Sequence, residues 1–311
     1  MPDITTIREA FQELLSRIEL NPNRVQLASQ RYNAVKGTLE RALPGYKVTQ
    51  IGSFQRKTKI RPADLSDKLD IDVVVTRGTA FRFAPPGEGI TPQDALRAVR
   101  NALSSNRTYK LMEPTTDAPT VILEYADGFT MELVPAFIDK TGHHNHGPGE
   151  PDCYLVGTAQ GTWVPADYDY DASVISRLNA LCGGELVPFI KMCKAFLRNY
   201  DVGLKSFHIE VLCTLIIPEA IANWRLQGLR WGYQHLLAYF LSNASPHMLG
   251  PVTLPGSFSP GMDSGMTLLQ LENTGKLLSK LGALAWKICG LKDSPQALEA
   301  WAEFFGKPFP R

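Results

Sequence analysis

The run Leu69-Asp70-Ile71-Asp72-Val73-Val74-Val75 is β-rich and alternates, so it predicts a strand with Ile71, Val73 and Val75 on one face and Asp70, Asp72 and Val74 on the other. Residues two apart on a strand project the same way, which sets two carboxylates side by side. Like charges at that spacing repel, so the face has to stay in water or bring cations to itself. A Mg²⁺ pair roughly 3.5 to 4 Å apart, held by carboxylates and substrate phosphates, is one arrangement that suits, and it serves in-line phosphoryl and nucleotidyl displacement. Such a site wants a third acid. Glu132 is available on a second predicted strand, Phe129 to Phe137, where Thr130, Glu132 and Val134 share a face opposite Met131 and Leu133. Upstream, Gly52-Ser53 follows a short predicted strand (Tyr46 to Ile51) and precedes a segment able to begin a helix. Glycine there permits close backbone approach, and the first amides of a helix face an anion such as a triphosphate. Alone, an Asp-x-Asp is more readily a solvated sheet edge and a Gly-Ser pair a turn. The order of strand, Gly-Ser, Asp-x-Asp strand and acidic strand narrows the choice.

Around this centre the chain divides by periodicity. Ile7, Phe11, Leu14, Leu15 and Ile18 recur at three- and four-residue steps and predict a helix, which Pro22 breaks. A second helix is expected from about Asn23 to Leu43 with Val25, Ala28, Tyr32, Val35 and Leu39 inward, ending before Pro44-Gly45. Thr91-Pro92-Gln93-Asp94 reads as a capped start of a helix to about Leu103. Thr120 to Tyr125 and Phe129 to Phe137 form a hairpin through Ala126-Asp127-Gly128. From His143 to Tyr170 the chain is rich in Gly, Pro, Asp and His, and predicts loops and a seam between domains. Beyond it Glu185 to Tyr200, Ser206 to Trp224, Gly232 to Ser242, Leu268 to Cys289 and Pro295 to Phe305 read as helices, the last capped by Ser294 and stopped by Gly306. The expected class is α+β, in two domains, 1–165 mixed and 166–311 helical, as 311 residues suggest.

With 44% hydrophobic and 20% charged residues, the chain is neither disordered nor fibrous. A net charge of +1 gives no global field for a nucleic acid or a membrane. Apolar runs such as Val73 to Val75 and Leu212 to Ile217 fall short of the roughly 20 residues that span a bilayer, and no basic, apolar leader precedes Ile4, so the cytoplasm is the expected compartment. Five cysteines without a CxxC pair indicate neither a disulfide framework nor a zinc site, and are expected to pack as small hydrophobes. His143-His144-x-His146 reads as a mobile surface loop more readily than as a Zn²⁺ site, and His208 and His235 as core or interface histidines.

The runs Gly52-Ser53-Phe54-Gln55-Arg56-Lys57-Thr58-Lys59-Ile60, Asp70-Ile71-Asp72-Val73-Val74-Val75 and Met131-Glu132-Leu133-Val134-Pro135-Ala136-Phe137 resemble, in that order, the bacterial CD-NTases. These are SMODS-type relatives of cyclic GMP-AMP synthase and oligoadenylate synthase. The likeness continues through Gly183 to Lys194, Leu204 to Glu210 and Ala300 to Pro310, and so covers most of the chain. It implies a polymerase-beta-like nucleotidyltransferase core, a mixed sheet with long N-terminal helices, joined to an α-helical C-terminal lobe with the active site in the cleft between them. It further implies that Asp70, Asp72 and Glu132 hold two Mg²⁺ ions, with Mn²⁺ as a substitute, and that Gly52 and Ser53 hold the donor triphosphate. Lys194 and Ser206 would contact the terminal phosphates and Phe207 a base. Glu132 departs from the family's commoner Asp, yet Glu is a competent oxygen ligand one methylene longer, and Glu124 on the paired strand is a weaker substitute. Lys191, Lys194 and Arg198 share a helical face, where a solvated role suits Lys191 and Arg198 better, and Phe207 packs into a core as readily as it stacks.

The activity so implied takes nucleoside triphosphates, releases pyrophosphate and makes a cyclic di- or trinucleotide second messenger for anti-phage (CBASS) signalling. The product would activate an effector, and regulatory partner proteins of the same operon are expected, with no membrane and no long nucleic acid. Two rivals share the residues. One is a linear or single-transfer nucleotidyltransferase, the other a nucleotide-binding scaffold without turnover, for which Glu132 is the supporting feature.

Overall fold

A capping box of Thr6 and Glu9 starts helix α1 (Ile7–Ile18), which buries Ile7, Phe11, Leu14 and Ile18 along one stripe. Helix α2 (Pro22–Ala42) begins at the proline expected to be a break, because a first-turn residue needs no amide proton and Asn21 caps the end. Ala28, Val35 and Leu39 of α2 are buried as predicted, whereas Val25 is 40% exposed. There the guanidinium groups of Arg24 and Arg31, at 4.6 and 4.3 Å, cover the Phe129 ring instead. The computed structural model describes residues 4–310 apart from 65–66, 81–88, 141–142, 201, 262 and 264.

Strand β1 (Tyr46–Gln50) leads through the four-residue helix α3 (Gly52–Gln55) to β2 (Leu69–Ala80). Helix α4 (Pro92–Ser104) carries the predicted Thr91/Asp94 box, and a short α5 (Arg107–Leu111) follows. Next come β3 (Thr115–Asp117), β4 (Thr120–Tyr125) and β5 (Phe129–Asp139), then β6 (Tyr154–Gly157) and β7 (Trp163–Ala166). The sheet runs β1-β2-β5-β4-β3, with β6 on the far end of β5 and β7 on β6. Among the described residues, only β2 and β5 pair in parallel. The segment expected as loop therefore holds two strands of four residues. Gly157 and Pro165 dilute their β signal, and β7 is an edge, where a proline costs no ladder bond. Ile71, Val73, Val75, Met131 and Leu133 pack one sheet face against α2 and α4.

The rest is helical: α6 (Tyr168–Leu181), α7 (Leu186–Leu197), α8 (Ser206–Leu226), α9 (Tyr233–His247), α10 (Leu268–Cys289) and α11 (Pro295–Phe305). Phe189, Phe196, Leu212, Phe240, Leu278, Trp301 and Phe305 centre this core. Helix α1 belongs to it, with Phe11 edge-on to Trp301 at 5.3 Å and the Ile7 amide donating to Asp293 Oδ1 at 2.9 Å. A boundary at 165/166 with α1 on the sheet side divides this core, since an amphipathic stripe tells that a helix is covered but not by what. Among the described residues, α8 is the one helix long and apolar enough by length and composition to cross a membrane, and 61% of that window is buried in the core. Cys153, Cys182, Cys193 and Cys213 are buried and Cys289 half-buried, all as free thiols. His208 is a buried core residue, and the half-buried His235 accepts from the Gly232 amide at Nδ1. His146 is no surface residue: it pairs with Asp167 at 2.9 Å and stacks on Tyr170 at 3.6 Å.

Candidate active site

The parallel pairing of β2 and β5 sets Asp72 beside Glu132 and Asp70 beside Thr130, so the three predicted acids share one sheet face. Asp72 is half-buried. Loss of water raises its carboxyl above the usual range and Asp70 adds to this, against Lys59, Arg56 and the Ser53 amide. Glu132 is raised by burial first, then by Asp72 and Asp70. Asp70 is more open and pairs with Lys59 Nζ at 3.6 Å. Glu124 is not part of this group: it pairs with Lys68 at 2.6 Å on the surface.

Gly52 turns the chain beneath the acids with φ +72°, a left-handed conformation that favours glycine. A Cβ built there would stand 2.0 Å from Asp72 Oδ2. The close backbone approach expected at Gly52 is thus an approach to Asp72. The turn is tied further by the Ile51 amide donating to the Asp72 carbonyl at 2.9 Å, and by the Ser53 carbonyl accepting from Thr58 and Lys59. Gly52→Ala should therefore push Asp72 off its position. We expect a loss of about 1 to 3 kcal/mol in urea unfolding, the scale of a strained backbone site, with a fall in pyrophosphate release larger than the stability loss alone explains.

Helices α7 and α8 close the other side. Lys194, expected at the terminal phosphates, is buried and donates to Glu210 Oε1 at 2.6 Å and to the Thr58 carbonyl at 3.2 Å. Arg56 grips the same Glu210 through Nε at 2.7 Å and a terminal nitrogen at 3.1 Å. Burial works against an ionised Glu210, but Arg56 and Lys194 outweigh it and hold the carboxyl down to about 2. Phe207 lies under the Arg56 guanidinium at 4.2 Å, and Ser206 stands exposed as the first residue of α8. Lys191 pairs with Glu19, and Arg198 with Asp67 and the Arg61 carbonyl, so these two cations serve elsewhere. On α6, burial lifts Asp171 to about 7 with Ser257 and Arg56 opposing, and its Oδ1 has no hydrogen-bond partner.

Sequence reasoning assigned no role to Arg56, Thr58, Lys59, Asp171 or Glu210. Glu210 carried a signal, a lone acid among apolar positions of a helix, which buries only with a cationic partner. Among the described residues no three His, Cys, Asp or Glu side chains already form a metal cage. The donor set nonetheless fits a hard divalent ion: three oxygen-only ligands on one face, two of them disfavoured as anions by burial and by each other, a condition that a cation relieves.

Residues 5–151 match the model of the Second Messenger Oligonucleotide or Dinucleotide Synthetase domain, SMODS. A probable cyclic nucleotide synthase of Bacillus cereus is 23% identical over 287 residues, covering 86% of this chain and 83% of its own. The structure of E. coli CdnC with ATP superposes with a TM-score of 0.70 at 14% identity, over 98% of this chain and 99% of CdnC. The CD-NTase CdnG of Bradyrhizobium diazoefficiens, in complex with GTP, gives 0.66 at 15% identity, over 96% and 94%. The domain match covers residues 5–151, and over its whole length the chain shares the fold of the CD-NTases CdnC and CdnG, so it resembles that family.

Proposed function

We propose that this protein joins nucleoside triphosphates and closes the product into a cyclic di- or trinucleotide second messenger for anti-phage signalling. The observation that carries the reading is the registered Asp72–Glu132 pair with Asp70 on the same face, above the Gly52-Ser53 turn. In each step an acceptor 2′- or 3′-hydroxyl forms a bond to the α-phosphorus of a bound triphosphate, the bond to the bridging oxygen breaks and pyrophosphate leaves. Two Mg²⁺ ions held by Asp70, Asp72 and Glu132 would supply positive charge at the attacking and leaving oxygens. The Ser53 amide and the Gly52 contact fix Asp72, so its carboxylate need not reorganise. Ser206 offers an exposed hydroxyl to the phosphate tail. Phe207, with Arg56 across its ring, offers an aromatic and cationic surface to a base. Lys194 is engaged with Glu210, so in this reading its ammonium shifts from that carboxylate toward a bound phosphate.

Substrates come from the cytoplasmic nucleotide pool in this reading, and the product acts on an effector. CdnC is also seen in a CdnC:HORMA-deltaN complex, over 98% of both chains at a TM-score of 0.68, which supports a regulatory protein partner here. The test incubates purified protein with Mg²⁺ or Mn²⁺ and labelled nucleoside triphosphates, singly and pooled, followed by phosphatase and mass spectrometry. A phosphatase-resistant cyclic product is expected and names the bases. Linear product alone would move the assignment to a linear or single-transfer nucleotidyltransferase. Triphosphate binding without any product would leave an inactive scaffold.

A further inference from the structure

Lys59 lies on the segment that the Gly52-Ser53 turn ties down, one residue beyond the buried Thr58, with its amide donating to the Ser53 carbonyl at 3.2 Å. Its ammonium reaches the acidic face: Nζ is 3.6 Å from Asp70 Oδ2, its side chain is 17% exposed, and its charge also falls on Asp72 and Glu132. The neighbouring cations Arg56 and Lys194 are committed to Glu210. Lys59 thus places a positive charge beside the carboxylates that would hold a divalent ion. At 3.6 Å the pair is held through space rather than by a hydrogen bond, so the ammonium can leave without breaking a directed contact. A divalent ion drawn to Asp70 meets that ammonium at the same oxygen, and two cations within a few ångströms repel.

We propose that Lys59 is an internal counter-cation that neutralises the acidic face between metal loadings and competes with the divalent ion for Asp70, so that it sets the metal concentration at which the site fills. This rests on the metal reading given under Proposed function. The test measures Mn²⁺ binding to the full chain by the electron paramagnetic resonance of the free ion, with no nucleotide present. Lys59→Met is expected to bind Mn²⁺ about threefold to tenfold more tightly than the native chain, the scale of one partly exposed ion pair, and Lys59→Arg to bind as the native chain does. Without metal, Lys59→Met should melt lower, and saturating Mn²⁺ should raise its melting temperature by more than it raises that of the native chain. Lys59→Gln repeats the measurement if the methionine variant folds poorly. Equal or weaker Mn²⁺ binding by both neutral variants overturns the role of Lys59 while the metal site stands. No Mn²⁺ binding by any form, either alone or after addition of a non-hydrolysable nucleoside triphosphate, overturns the role and the metal reading together.

Discussion

Asp72→Asn is expected to lower pyrophosphate release by at least about 10³-fold, because metal-borne charge stabilisation supplies several kcal/mol in reactions of this class. The substitution isolates charge from shape. Asparagine keeps an acceptor oxygen for the Ser53 amide and fits against Gly52 as aspartate does. The variant should fold at least as well as the native chain. Burial and Asp70 raise the Asp72 carboxyl in the folded state, and a raised acid means that its ionised form costs stability at neutral pH, a cost the amide removes. A stopped assay for pyrophosphate, beside a thermal melt, checks both halves. Native-like turnover by Asp72→Asn would remove Asp72 from the chemistry.

Glu210→Gln should be the most destabilising of the single conservative changes considered. It leaves Arg56 and Lys194, both buried, facing each other without their anion, and breaking a buried ion pair from one side costs about 3 to 5 kcal/mol. In a chain this size that is on the order of 10 °C in melting temperature. The pH dependence carries its own sign. Glu210 is held down to about 2 in the folded state against an ordinary 4.5, so the unfolded chain binds more protons between those values. The stabilisation is complete above about 4.5 and is lost as the pH falls toward 2. Urea unfolding at pH 7 and pH 3 should therefore show a smaller gap between native and variant at the lower pH. A constant gap would mean that Glu210 acts by shape, not charge.

Much of the sheet and the acid face was legible because both follow period-two patterning, which a single strand displays by itself. The capped helices were legible for the same local reason, Thr91 with Asp94 and Ser294 with its helix. What escaped is pairing at a distance. Arg56 and Glu210 are 154 positions apart, and nothing local to either reveals the other. The Lys194 assignment drew on a likeness of sequence, and position on a helix does not fix the rotamer that now points the ammonium at Glu210. The loop reading of 143–170 went wrong through composition, since four-residue strands containing glycine or proline resemble turns. His146 was misjudged with them, its partner Asp167 lying 21 positions on.

The placement of α1 has a consequence for biosynthesis. Its stripe of Ile7, Phe11, Leu14 and Ile18 leaves the ribosome well before the surface that covers it: the Asp293 carboxylate that receives the Ile7 amide is translated 286 residues later. At roughly 5 to 20 residues per second, the last of that cover, around Phe11, arrives on the order of half a minute after the helix emerges. The sheet can form meanwhile, but the helical core stays open until Trp301 and Phe309 arrive to meet Phe11. Nascent chains stalled in that interval hold an adhesive amphipathic segment whose cover is incomplete, a natural client for whatever guards the tunnel exit.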